Sequence, residues 1–151
     1  MISNTESIIL DASNKFQRCD KLTLAHMDTH SQLLSALTLR PEDVAVLISY
    51  SGDTTDMLNL ARQIREQGTT IISLTRYGKN PLSEMADIRL YSSSTETLLR
   101  SGAMSSRIAQ LAVIDTLYAA MCSKAFDEVK PHLEKSRMAT MRLHQSGEKE
   151  K

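Results

Sequence analysis

The sequence predicts an α/β protein, a three-layer α-β-α sandwich on a mainly parallel sheet. Two observations carry that prediction. Short aliphatic runs alternate with stretches whose apolar residues recur at helical spacing, giving strand, helix, strand, helix, strand between residues 44 and 91, the order of linked βαβ units. The run Val44-Ala45-Val46-Leu47-Ile48 is apolar at every position, and a strand without alternation belongs in a sheet covered on both faces.

Taken in order, Thr5 to Cys19 places Ile8, Ile9, Ala12 and Phe16 on one helical stripe. Lys21 to His26, KLTLAH, alternates as a strand does. Thr29 to Leu39 reads as a helix opened by a capping-box pattern of Thr29 and Gln32 and closed before Pro41. After the strand at 44–48, Met57, Leu60, Ala61 and Ile64 stripe a helix that ends at Gly68, and Thr70 to Thr75 is the next strand. A short helix begins near Asn80 and Pro81, and Asp87 to Tyr91 forms a last strand. Ser105 to Met121, SSRIAQLAVIDTLYAAM, is apolar on almost every side. A helix of that kind needs a large core or a second subunit, so a homodimer is expected, with Leu111 and Ile114 as the positions that would report on it. Pro131 opens a final helix to about Leu143, so one domain covers 1–144 and a polar tail covers 145–151.

With 151 residues and 41% hydrophobic content, the chain can bury one sizeable core. Eighteen basic and eighteen acidic residues leave no formal net charge, which argues against direct nucleic-acid binding by this chain. No apolar run approaches the roughly 18 residues of a membrane span, and the start MISNTESIIL lacks a basic signal-like segment, so a soluble, cytoplasmic protein without a membrane partner is expected. Cys19 and Cys122 stand far apart and are expected as free thiols. His26 and His30 flank Asp28, but a strand end followed by a helix start does not give the i, i+4 ligand pairing, so no metal site is expected and no cofactor is implied. Asp28 and His30 line the mouth of the cleft instead.

At the end of the 44–48 strand stands SYSGDT. Ligands of open parallel sheets bind at the carboxyl ends of the strands, where the following helices present their N-termini. Ser49, Ser51 and Thr54 supply hydroxyls there, Gly52 lets the backbone approach a ligand, and the free N–H groups of the helix start favour an anion. Neither a Walker loop nor G-x-G-x-x-G is present. A phosphorylated small molecule fits such a cradle. The plainer alternative is that Asp53 or Thr54 caps the helix and the serines form a turn.

The segments ISYSGDT, LARQIREQGTTIISLT and NPLSEMADIRL resemble a SIS (sugar isomerase) domain, and ETLLRSGAMSSRIAQLAVIDTLYAAM, from Glu96 to Met121, is similar to the matching stretch of RpiR-type bacterial transcriptional regulators. The resemblance runs from about residue 5 to residue 142. It implies a phosphosugar effector domain of a regulator, here without the helix-turn-helix domain, whose phosphate-binding loop is Ser49, Ser51, Gly52 and Thr54. Such domains begin with a strand and a glycine-rich turn. In this chain the first strand is missing and SNTES falls on the turn, making Thr5 the matching hydroxyl, unless Ser3 and Glu6 merely form a capping box. The resemblance places Glu96 as a sugar contact, while Ser93 and Glu96 also fit a capping box. Arg100 and Ser101 lie one turn later, and Arg107 reads as an interface or salt-bridge residue. A phosphosugar isomerase or lyase is the alternative function, and a structural oligomerisation domain the third.

Overall fold

The computed structural model describes residues 4–93 and 104–147. Helix α1 (Asn4–Arg18) is followed by α2 (Thr29–Ala36), strand β1 (Val44–Ile48), α3 (Thr55–Glu66), β2 (Thr70–Arg76), α4 (Pro81–Met85), β3 (Ile88–Ser92), α5 (Met104–Lys124) and α6 (Phe126–Gly147). The three strands are all parallel in the order β1-β2-β3, with Leu47 opposite Ser73 and Leu74 opposite Leu90. The outer edge of β1 has no ladder partner among the described residues.

The apolar run in β1 divides between two cores because successive side chains point to opposite faces of a strand. Ala45 and Leu47, with Ile71 of β2, meet Ala36 of α2, Leu60, Ala61 and Ile64 of α3, and Leu82 of α4. Ile48, with Leu74 of β2, meets Ile8 and Ala12 of α1 and Ile114 of α5. Both faces are covered, so the three-layer expectation holds. Ile8, Ile71, Leu74, Leu82 and Ile114 are fully buried, each contributing about 1.5–3 kcal/mol. Asp87 fixes the entry to β3: its N–H donates to Ile71 O (3.0 Å) and its carboxylate accepts from Ile71 N–H (2.8 Å).

Several expectations need correction. Residues 21–26 form no strand. Leu22 is 94% exposed and Leu24 68%, and the segment is tied by side chains instead, Gln17 Nε2 donating to Thr23 O and Gln32 Nε2 to His26 O. Alternation alone does not make a strand; a ladder partner does. Helix α2 is capped by Asp28, whose carboxylate accepts from Ser31 N–H (2.8 Å), and it stops at Ala36. Pro131 lies inside α6, not at its start. The turn begins earlier, where Glu128 and Val129 N–H groups bond Ala125 O, so the proline costs that helix one N–H rather than opening it. Ile114 is part of the protomer's own core, which disqualifies it as a reporter of association.

Helix α1 ends in a Schellman motif. Asp20 adopts φ 58°, its N–H bonds Gln17 O, and Lys21 N–H bonds Phe16 O. That ending brings Cys19 to Cys122 of α5, sulfur to sulfur at 2.7 Å, both free thiols as expected. Burial first, then the Cys122 partner, pushes the Cys19 thiol up to about 11. Lys15 of α1 pairs with both Asp11 and Asp115 of α5, which raises its ammonium pKa, Asp11 acting most strongly.

Candidate functional site

The site is built at the carboxyl edge of the sheet. The β1 ladder continues one residue beyond the strand, with Ser49 N–H donating to Leu74 O (3.0 Å), and Arg76 N–H then donates to Tyr50 O (2.9 Å). Between those bonds and α3 the chain turns sharply. Gly52 holds φ +69°, a left-handed conformation that a side chain disfavours. Its N–H donates to Ser49 Oγ (3.2 Å), and Asp53 N–H reaches Ser51 Oγ (3.5 Å). Ser49 and Gly52 are buried, Ser51 is half-buried and Thr54 is exposed. The four loop residues singled out in the sequence are thus brought together in one turn.

Thr54 occupies the N-cap position of α3 with extended backbone, but its side chain makes no capping bond. The capping alternative is therefore not the role of the Thr54 hydroxyl. An uncapped helix start carries orphan N–H groups and the positive end of the helix dipole. Asp56, exposed in the first turn of α3, offsets part of that field. The donors carried by the loop are neutral: the hydroxyls of Ser49, Ser51 and Thr54 and the opening amides of α3.

The other proposed contacts are not brought to this loop by the described structure. Thr5 is the second residue of α1, with only its backbone described. Glu96, Arg100 and Ser101 lie outside the described residues. Arg107 is exposed on α5. His26 Nε2 lies 2.6 Å from Ser35 Oγ, and Asp28 is occupied as the α2 cap, its carboxyl held below the ordinary aspartate value chiefly by the Ser31 amide. Among the described residues no group of three His, Cys, Asp or Glu side chains is arranged to hold a metal.

Sequence reasoning missed the residue on the other side of the loop. Asn80, 7% exposed, starts α4. Its Oδ1 accepts from Ser83 N–H (2.9 Å), and its Nδ2 donates to Thr75 Oγ1 (3.0 Å) and Gly78 O (3.1 Å). Ser83 Oγ closes a capping box on the Asn80 backbone, and Leu82 N–H donates to Gly52 O (2.9 Å). The signal available in the sequence was Asn-Pro before an apolar residue, a helix-start pattern that says nothing about the neighbouring loop.

A separate apolar groove of about 380 Å³ lies between β3 and α5, lined by Leu90, Ala112, Val113, Thr116, Leu117 and Ala120. Its lining offers one hydroxyl and no charge, which does not suit a phosphosugar.

A family model for the SIS domain matches residues 8–120. The chain belongs to the SIS-domain family. This SIS chain is 46% identical over 127 residues to an HTH-type transcriptional regulator of Caldanaerobacter subterraneus subsp. tengcongensis, a match covering 84% of this chain and 45% of that protein. It spans about half the length of the curated relatives it matches. Among solved structures, it superposes on Vibrio vulnificus NanR complexed with ManNAc-6P with a TM-score of 0.84 and 22% identity, covering 95% of this chain and 54% of that one. It also matches the sugar isomerase domain of an RpiR transcription factor from Sphaerobacter thermophilus, with a TM-score of 0.73, 17% identity and coverage of 88% and 73%. A Methanococcus jannaschii hypothetical protein, for which a 3-hexulose-6-phosphate isomerase function is inferred from its structure, shares the fold as well, with a TM-score of 0.69, 16% identity and coverage of 89% and 72%. At these identities the structural matches show the fold. No helix among the described residues is long and apolar enough to cross a membrane.

Proposed function

We propose that this SIS chain is the phosphosugar-sensing part of an HTH-type, RpiR-like transcriptional regulator, and that it binds the phosphate of a sugar phosphate at Ser49, Ser51, Gly52 and Thr54. The observation that carries the reading is the hydroxyl-rimmed start of α3, which is left without a side-chain cap. The phosphate would accept from the hydroxyls and from the α3 amides, with Gly52 allowing close backbone approach. Thr5 and Glu96 are proposed to touch the sugar. The regulators related to the chain support a sensing role, and the ManNAc-6P held by NanR supports the ligand class. DNA reading would fall to another part of the regulator, since this chain has no formal net charge.

Calorimetric titration with a panel of hexose, pentose and amino-sugar phosphates, each paired with its unphosphorylated sugar, tests the reading. The phosphorylated member of one pair binds, and Ser51→Ala weakens it by about 1–3 kcal/mol. Equal affinity for a sugar and its phosphate, or turnover abolished by Glu96→Gln with the fold intact, overturns it.

The same proposal includes association through α5. Ile108 is 64% exposed, and the β3–α5 groove, lined from the same helix, adds further apolar surface. A dimer would cover both. Light scattering of Ile108→Glu should show a monomer where the wild type is dimeric; a monomeric wild type at micromolar concentration removes this part.

A further inference from the structure

We propose that Asn80 is a positioning residue for the phosphate loop, setting the geometry of Gly52 from the neighbouring βα turn without touching the ligand itself. The inference rests on the reading of the loop given above. Gly52 is held on three sides. Its N–H is bound by Ser49 Oγ, its C=O by the amide of Leu82 in α4, and its Cα lies against the Asn80 amide. A methyl group at Gly52 would overlap Asn80 Oδ1 and stand 2.5 Å from Asn80 Cγ.

The orientation of the Asn80 amide follows from its partners. Ser83 N–H requires an acceptor, so Oδ1 points to it, and Nδ2 is left to donate to Thr75 Oγ1 and Gly78 O. Both hydrogens of Nδ2 are committed, and Oδ1 already serves Ser83 in a buried setting. Asn80 therefore has little to give a ligand and much to give the loop. By capping α4 it keeps the first turn of that helix in place, and that turn presents the Leu82 amide to Gly52 O. Through Thr75 it is tied to the end of β2. The loop after β1 is thus located by β2 and α4, and the hydroxyls of Ser49 and Ser51 and the start of α3 inherit that placement.

Two variants separate positioning from capping. Asn80→Ser keeps an N-cap acceptor for Ser83 but cannot span to Thr75 and Gly78 or back Gly52. Asn80→Asp keeps the shape and the acceptor, but sets an acceptor against Gly78 O and a titratable carboxylate against the loop. Wild type and both variants are titrated with N-acetylmannosamine 6-phosphate and with inorganic phosphate, with melting curves recorded in parallel. Amide exchange of residues 49–55 is followed without ligand. The expected result is a loss of affinity of about tenfold in Asn80→Ser, on the scale of one hydrogen bond to a charged group, with most of the melting temperature retained. In Asn80→Asp affinity should also fall, because a carboxylate replaces the amide donor facing Thr75 and Gly78 and sets negative charge beside a loop that would take an anion. Exchange of the 49–55 amides should quicken in both variants while α1 and α5 stay protected. Wild-type affinity in a folded Asn80→Ser, or unchanged exchange of the loop, overturns the proposal. If the wild type binds neither these probes nor any member of the sugar-phosphate panel, the phosphosugar reading fails instead, and loop exchange alone decides the role of Asn80.

Discussion

The loops after β1 and β2 occupy equivalent places in the fold, each turning a parallel strand into a helix on the same face of the sheet, yet their helices begin differently. At α4 both halves of a capping box are made, Pro81 fills the first turn, and Asn80 is satisfied on three bonds. At α3 the N-cap residue Thr54 makes no side-chain bond, and the serines before it turn inward to hold Gly52 and Asp53. One start is closed for stability and the other is left open, with the closed one bracing it through Leu82 N–H and Asn80. The comparison teaches that a helix start can go without a side-chain cap when an adjacent turn supplies the rigidity that cap would have given.

The contrast is broken most severely at Gly52. Gly52→Ala should cost about 3 kcal/mol in denaturant melts, combining left-handed strain with overlap against Asn80; a loss under about 1 kcal/mol would mean the two turns are not in contact as described. Ser83→Ala opens the α4 box and should cost about 1 kcal/mol. The start of α2 offers a pH-dependent version. The Asp28 carboxyl is held below its ordinary value of 3.8 by the Ser31 amide, so its contribution is present above that value and lost as pH falls through the depressed native one. Asp28→Asn should flatten the stability curve in that acid window, and an unchanged acid slope would remove Asp28 from the account. The smallest effect is expected at Thr54. Thr54→Ala should leave stability within about 0.5 kcal/mol while weakening phosphosugar binding, since no cap bond is lost; a loss near 1 kcal/mol would restore the capping interpretation.

What was legible in the sequence was what short-range pattern controls. Val44–Ile48 appears as the strand its unbroken apolar run predicts, and the stripe Leu60, Ala61, Ile64 lands in the core of one face. The SYSGDT loop was legible because its chemistry is contiguous. Contacts between distant positions were not. KLTLAH alternates, but pattern cannot tell whether a neighbouring strand is present to receive its backbone. Asn80 reads as an ordinary helix start until the fold places it on Gly52. Cys19 and Cys122, 103 residues apart, meet only because α1 ends in a Schellman turn beside α5.

The outer edge of β1, which no strand among the described residues pairs with, has a practical meaning for how this polypeptide behaves in a tube. Its backbone donors and acceptors form a template for any extended chain, and Val44, 55% exposed, stands at the start of that strand. With Leu22 and Leu24 also solvent-facing, crowding such molecules should promote edge-to-edge stacking before it promotes unfolding. Concentrated samples should therefore gain thioflavin-positive, strand-rich material while the helical signal of the remaining soluble fraction stays native. A lysine at Val44 should delay that gain, because a charge on an open strand repels its copy.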